Sequence, residues 1–246
     1  MPFTFAHPAI VLPLDKLKTR WFSLTGLIAG AIVPDFEYFL RMHIYSIYSH
    51  TIAGLFWFDI PLALLSAFLF HNIVRNNLFD NLPSALSNRL CRYKTFNWSN
   101  HFKRYWHVVL ISVLIGAFSH LFLDAFTHPK GYFVKLLPGI FNKNVVATIP
   151  LYKILQHLFT LASTIYIVYY IQRMPAGCYA NQPASKYWIW VAIFTIIVIA
   201  LRFWIVPDYH VFANVVVSAI SAFLLAMVIV PKFLSVRKRG IFHTEK

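Results

Sequence analysis

Acidic residues are scarce in this chain. Eight Asp and Glu stand against 22 Lys and Arg over 246 residues, and charged side chains make up only 12% of the whole. Soluble domains carry about 25% charged residues. With 59% hydrophobic residues and a mean hydropathy of +0.63, a water-soluble globular fold is excluded. Cysteine is nearly absent too. Cys91 and Cys178 form no spacing motif, and both fit a reducing, cytoplasmic face. No P-loop, no strand–helix GxGxxG fingerprint and no nucleophile elbow is present, which leaves nucleotide-dependent and serine-hydrolase chemistry without support. Internal repeats, low-complexity tracts and domain linkers are missing as well. The net charge of +14 is spread over several loops, so it predicts contact with anionic lipid headgroups and no nucleic-acid partner.

What the chain does have is long apolar runs. Five are long enough to cross a bilayer, which takes about 20 residues: Thr51–Val74, Tyr105–Phe126, Leu151–Ile171, Tyr187–Val206 and His210–Val230. A sixth, Trp21–Val33, is short and stops at Pro34-Asp35, as a partly inserted helix would. Phe3–Leu14 and Trp21–Val33 flank a polar turn, which predicts a helical hairpin that brings His7 and Asp35 to one end. The fold expected is an all-α, polytopic membrane bundle of five to six spans plus this hairpin. It is read as one integral domain over 1–246, with a site within 1–170 and two further spans at 187–230. The 75–104 loop and the tail hold 11 Lys and Arg between them, which predicts that both are cytoplasmic. The opposite ends then face outward from a bacterial inner membrane.

That orientation, drawn from Lys and Arg alone, sorts the remaining ionisable groups. His7, His50, His120, His128, His157 and His210 map to the outward half with Asp35, Glu37, Asp124 and Asp208. His71, His101 and His107 fall at the other end and His243 in the tail. The densest pattern is His120-Leu-Phe-Leu-Asp124-Ala-Phe-Thr-His128, whose ionisable groups recur every fourth residue on one helical face. A carboxylate inside an apolar span marks a functional site by default. His and Asp donors are the ligand set of zinc or a similar divalent ion. Asp124 is placed to bridge two ions, and Asp35 or Glu37 could ligate or serve as general base. Arg202, near the outer end of its span, could hold a phosphate or pair with Asp208 or Asp59.

The opening Met-Pro-Phe-Thr-Phe-Ala-His-Pro, then Val33-Pro-Asp-Phe-Glu-Tyr-Phe-Leu-Arg41, Ser49-His-Thr51 and His120…Asp124…Thr-His128 together resemble the bacterial membrane family catalogued as domain of unknown function 4184, over residues 1 to about 170. More distantly the chain is similar to inner-membrane metal-dependent hydrolases, and through them to the all-α zinc-dependent phospholipase C architecture. That resemblance implies His7, Asp35, His50, His120 and Asp124 as ligands, with His128 and His157 as further ones. It departs from the soluble enzymes in having no late HxxxE pair, so one or two ions are implied in place of three.

The expected function is therefore a membrane-embedded, metal-dependent hydrolase, with zinc as the ion and a lipid or phosphoester as substrate. Two other classes use the same residues. An ion- or proton-coupled transporter would relay through the His/Asp cluster, although no duplicated halves or paired broken helices are visible. A non-catalytic scaffold would use the cluster to brace its helices. Oligomeric state is not encoded in any of these features.

Overall fold

The computed structural model describes residues 3–17, 21–177 and 185–241, with side chains described to Phe233. The chain is an all-α, polytopic helical bundle. Five helices are long and apolar enough to cross a membrane: Ile52–Asn81, Trp98–Leu136, Leu151–Gln172, Ser185–Ile205 and Phe212–Phe233. In chain order we label α1 (Leu24–Ile32), α2 (Phe36–Arg41), α3 (Ile52–Asn81), α4 (Ser84–Leu90), α5 (Trp98–Thr127), α6 (Tyr132–Leu136), α7 (Pro138–Phe141), the hairpin strands β1 (Asn144–Val146) and β2 (Ile149–Pro150), then α8 (Leu151–Gln172), α9 (Ser185–Ile205) and α10 (Phe212–Ile241).

Three expectations change. The first arm of the N-terminal hairpin is not α-helical. It forms the 3-10 segments Thr4–Ile10 and Leu12–Lys16, because Pro8 and Pro13 remove backbone donors that an α-helix would need. The second arm, α1, has nine residues and so runs about 13 Å, too short to cross a bilayer. The basic stretch after the first span is largely helical rather than open loop. α3 continues to Asn81, α4 follows, and Arg75 folds inward to donate to the carbonyls of Phe96 (2.6 Å) and Lys94 (2.9 Å). Cys91 is disulfide-bonded, against the expectation of a reduced thiol, while Cys178 and His243 lie outside the described residues.

The described chain divides into two compact units. The first comprises Met1–Phe36, Ile47–Ala67 and Asn100–Arg173. Its apolar centre is Val11, Leu27 and Ala31, with Leu14, Phe22 and Ile115 against them. The second comprises Glu37–Ser46, Phe68–Ser99 and Met174–Lys246, and there Val74, Tyr187, Val191, Ala226, Met227 and Val230 form the core where α3, α9 and α10 meet. α3 contains two π-helical turns, Leu55–Asp59 and Phe70–Val74. The first buries Asp59 completely.

Candidate metal centre

The site begins with how closely α1 and α5 approach. Gly26 and Gly30 are one turn apart on α1; Ser112, Gly116 and His120 are one turn apart on α5. A Cβ on Gly30 would sit 2.1 Å from the Val113 carbonyl oxygen, and one on Gly116 2.3 Å from that of Leu27. Small residues at fourth positions allow apolar helices to touch backbone to backbone. This contact seats the His120 ring against the end of α1, where its Nδ1 donates to the Ala31 carbonyl at 2.8 Å. Carbonyls in a helix's last turn lack intrahelical donors. Because a carbonyl only accepts, the proton on Nδ1 makes this bond and Nε2 is turned inward. Engaging one ring nitrogen in this way is the usual means of orienting a metal-binding imidazole.

The other side chains arrive from four separate segments of the same unit. Asp35 follows Pro34 in a 3-10 turn and is fully buried; Thr4 Oγ1 donates to its Oδ2 at 2.5 Å, leaving Oδ1 without a hydrogen bond. In a 3-10 helix residues i and i+3 eclipse, so Thr4 and His7 share one face. The His7 ring stacks on His120 with centroids 3.8 Å apart, and neither of its ring nitrogens has a hydrogen-bond partner although only 1% of the residue is exposed. His50 enters from the loop before α3, with Nδ1 3.0 Å from Ser49 Oγ. Asp124 stands one turn beyond His120 on α5, and His128 follows at the helix end.

Four distances define the centre. His50 Nε2 lies 3.6 Å from Asp35 Oδ1 and 3.5 Å from Asp124 Oδ2, and His120 Nε2 lies 3.6 and 3.4 Å from the same two oxygens. Direct imidazolium–carboxylate hydrogen bonds would close to about 2.7–2.9 Å. Ligands held about 2.0–2.2 Å from a tetrahedral ion are separated from one another by about 3.3–3.6 Å. These four His–Asp separations match those between ligands of a shared ion. The other oxygen of Asp124 faces different imidazoles, with Oδ1 3.2 Å from His128 Nδ1 and 3.9 Å from His7 Nε2. One carboxylate thus stands between two histidine sets. Considered in threes, the ligand atoms of His7, Asp35 and His120, and of His50, His120 and Asp124, all lie within 4.8 Å of one another.

Burial and neighbouring charges set the protonation of the residues flanking the centre. Burial, together with the nearby His120, pushes the His7 pKa down to about 3, so this ring is uncharged at neutral pH. Burial alone would raise the Asp35 carboxyl. The imidazoles of His120 and His50 outweigh it and hold Asp35 below the ordinary carboxylate range, as an anion. Two buried carboxylates are charges that a divalent ion would offset.

Of the residues singled out in the sequence, His7, Asp35, His50, His120, Asp124 and His128 converge. Three do not. His157 is exposed on α8, next to Gln156, which is the buried member of that turn. Glu37 belongs to the second unit and pairs with Arg41 at 2.8 Å, one turn along α2, so it is not placed as a free base. Arg202, also in the second unit, donates to Asp208 Oδ2 (3.0 Å), the Val206 carbonyl (2.7 Å) and the Met42 carbonyl (3.1 Å), which commits it to its own neighbourhood rather than to a phosphate. That hydrogen bond lowers the Asp208 pKa. The sequence reading missed Thr4 and the Ala31 carbonyl. Thr4 was detectable as the residue three before His7 in a proline-interrupted run; a backbone carbonyl leaves no mark in sequence.

Compared with known proteins, the chain matches no curated protein and no solved structure. The sequence model of one family does match, across residues 1–232, well past the 170 residues that carry the resemblance by eye. The chain thus belongs to the Domain of unknown function (DUF4184) family.

Proposed function

We propose that this protein is a membrane-embedded, metal-dependent hydrolase. In this reading His50, His120, Asp35 and Asp124 Oδ2 hold one divalent ion, with zinc as the best match for a donor set of two nitrogens and two oxygens. The observation that carries the reading is the set of four His–Asp separations, all between 3.4 and 3.6 Å. Asp124 Oδ1, His7 and His128 offer a second position, as a carboxylate-bridged pair of ions would require. A cation held there would polarise a phosphoester or carboxyl ester and lower the pKa of water beside it.

The chain's own residues supply the rest. Thr4 fixes the Asp35 carboxylate, Ala31 fixes the His120 tautomer, and the apolar walls of α1 and α5 raise the strength of every interaction inside. His50 and His128, with side chains 24% and 22% exposed, are the open edge of a cluster whose other members are nearly sealed. That edge is where a substrate would reach it. By the positive-inside rule it faces outward from a bacterial inner membrane, at headgroup level, which favours a lipid or a phosphoester as substrate.

The test is metal analysis of the detergent-purified protein, followed by hydrolysis of a chromogenic phosphodiester and a short-chain phospholipid. Activity should fall on chelation and return with added zinc. Protein that takes up no metal at micromolar zinc, with hydrolysis indifferent to chelator, would overturn the reading.

A further inference from the structure

The connector between α5 and α8 is built unlike a water-exposed loop. It begins at Pro129, one residue past His128, and the last turn of α5 fixes where it leaves. Gly131 donates to the His128 carbonyl at 2.9 Å, and a Cβ there would lie 2.7 Å from the Asp124 carbonyl oxygen. An inner side anchors it: Phe133 stacks on Phe126 with centroids 4.2 Å apart, and Val134 and Phe141 are buried. The outer side is apolar as well. Tyr132, Leu136, Ile140, Val145 and Val146, on α6, α7 and β1, are 53–67% exposed.

Lys130, Lys135 and Lys143 are exposed among them, and no acidic residue occurs between 129 and 150. The apolar helix that enters it (Trp98–Leu136, which takes in α6) and α8 after it are each long enough to cross a membrane, so the segment joins the ends of two spans. Exposed apolar side chains flanked by lysines, with no acid, are the composition of a segment lying in the headgroup boundary. Three positive charges with no acid in the segment select anionic headgroups there.

We propose that residues 129–150 are an interfacial platform that docks the anionic headgroups of the surrounding bilayer beside the open edge of the His/Asp cluster. This inference does not rest on the hydrolase reading, since it concerns the connector's own surface. It assigns that surface a partner, the acidic phospholipid of the bilayer.

Hydrogen exchange of the unmodified full chain in nanodiscs tests it without any substitution. Backbone amides of 136–147 should exchange several-fold more slowly in discs containing one-third phosphatidylglycerol than in pure phosphatidylcholine. Inorganic phosphate added to the phosphatidylcholine discs should not reproduce the slowing. The triple variant K130Q/K135Q/K143Q should lose the dependence on phosphatidylglycerol. At about five-fold per lysine in headgroup affinity, the slowing should then disappear entirely, while exchange in α5 and α8 stays as in the wild type. As a second measurement, a fluorophore at Val146 of the cysteine-free chain should be quenched by headgroup-proximal spin-labelled lipid. Equal exchange in both disc types, or a probe quenched only by aqueous iodide, overturns the proposal.

Discussion

Replacing Asp124 with Asn separates a metal ligand from a structural brace. The side chain keeps its shape, but one carboxylate oxygen becomes an amide nitrogen, and the charge that offsets a dication is gone. In the native geometry Oδ2 faces two imidazole nitrogens at 3.4 and 3.5 Å and Oδ1 faces two more at 3.2 and 3.9 Å. A neutral amide in that position can still hydrogen-bond to neutral imidazoles, so the metal-free fold should lose at most about 1–2 kcal/mol. Metal affinity should fall by at least the 10–100-fold seen when lesser, orienting groups are removed. At zinc 100 times above the wild-type Kd, binding stabilises the native chain by about 2.7 kcal/mol; a 100-fold weaker variant retains roughly 0.4 kcal/mol. For a chain of this size that is a zinc-induced Tm shift of about 5–10 °C reduced to about 1–2 °C. Thermal melts with and without zinc, run beside His107→Gln, read this directly. His107 is exposed on α5, 13 residues before His120 and so about 20 Å away along the helix. It should behave as wild type. A D124N protein that keeps the full zinc shift but melts several degrees lower without metal would mean that Asp124 only braces helices.

The parts of this molecule that are legible in its sequence are those governed by local period. Five spans announce themselves by length. His120 and Asp124 announce themselves because two ionisable groups one turn apart in an apolar helix need each other or a cation. The failures share a cause, which is that proximity in sequence does not impose a shared direction. Glu37 is two residues from Asp35, but α2 starts at Phe36, and side chains two apart on a helix diverge by about 200°. The carboxylate accordingly turns to Arg41. His157 is displaced about 100° from Gln156, which took the buried position. Arg202 is different: it takes the other partner expected for it, Asp208, together with the Val206 carbonyl. The 3-10 form of the first hairpin arm is hidden because its apolar content is the same as that of an α-helix. Pro8 and Pro13 are the available signal, and they also determine that Thr4 and His7 align. The β-hairpin within 144–150 carries no clean alternation, since its side chains are exposed on both sides.

Three further outcomes are expected. Gly30→Ala should force α1 and α5 apart, since its Cβ would lie 2.1 Å from a backbone oxygen that cannot turn away; overpacking of this kind costs about 1–3 kcal/mol. Zinc uptake should drop with it, because the His120–Ala31 hydrogen bond depends on that contact; a G30A protein with wild-type melting and metal content would refute the close-approach account. In chelator-treated protein, His7 makes stability depend on pH. Its folded pKa of about 3 is depressed below the unfolded value of 6.5. Both states are neutral above pH 6.5, so its full contribution is present there. Below that the unfolded chain binds the proton first and stability falls, by up to about 1.4 kcal/mol per pH unit, until about pH 3. His7→Gln should flatten that part of the curve in a urea-melt series, and an unchanged slope would mean that His7 is not the buried neutral group. The last concerns orientation, where two signals oppose each other. Eleven Lys and Arg predict a cytoplasmic 75–104 stretch and tail, whereas the disulfide at Cys91 belongs to an oxidising compartment. Positive charge near span ends acts during insertion, before any disulfide can form, so the cytoplasmic placement should prevail. A periplasm-active reporter fused after Arg239 should then be silent. A strong reporter signal would turn the bundle over and move the His/Asp cluster to the cytoplasmic face.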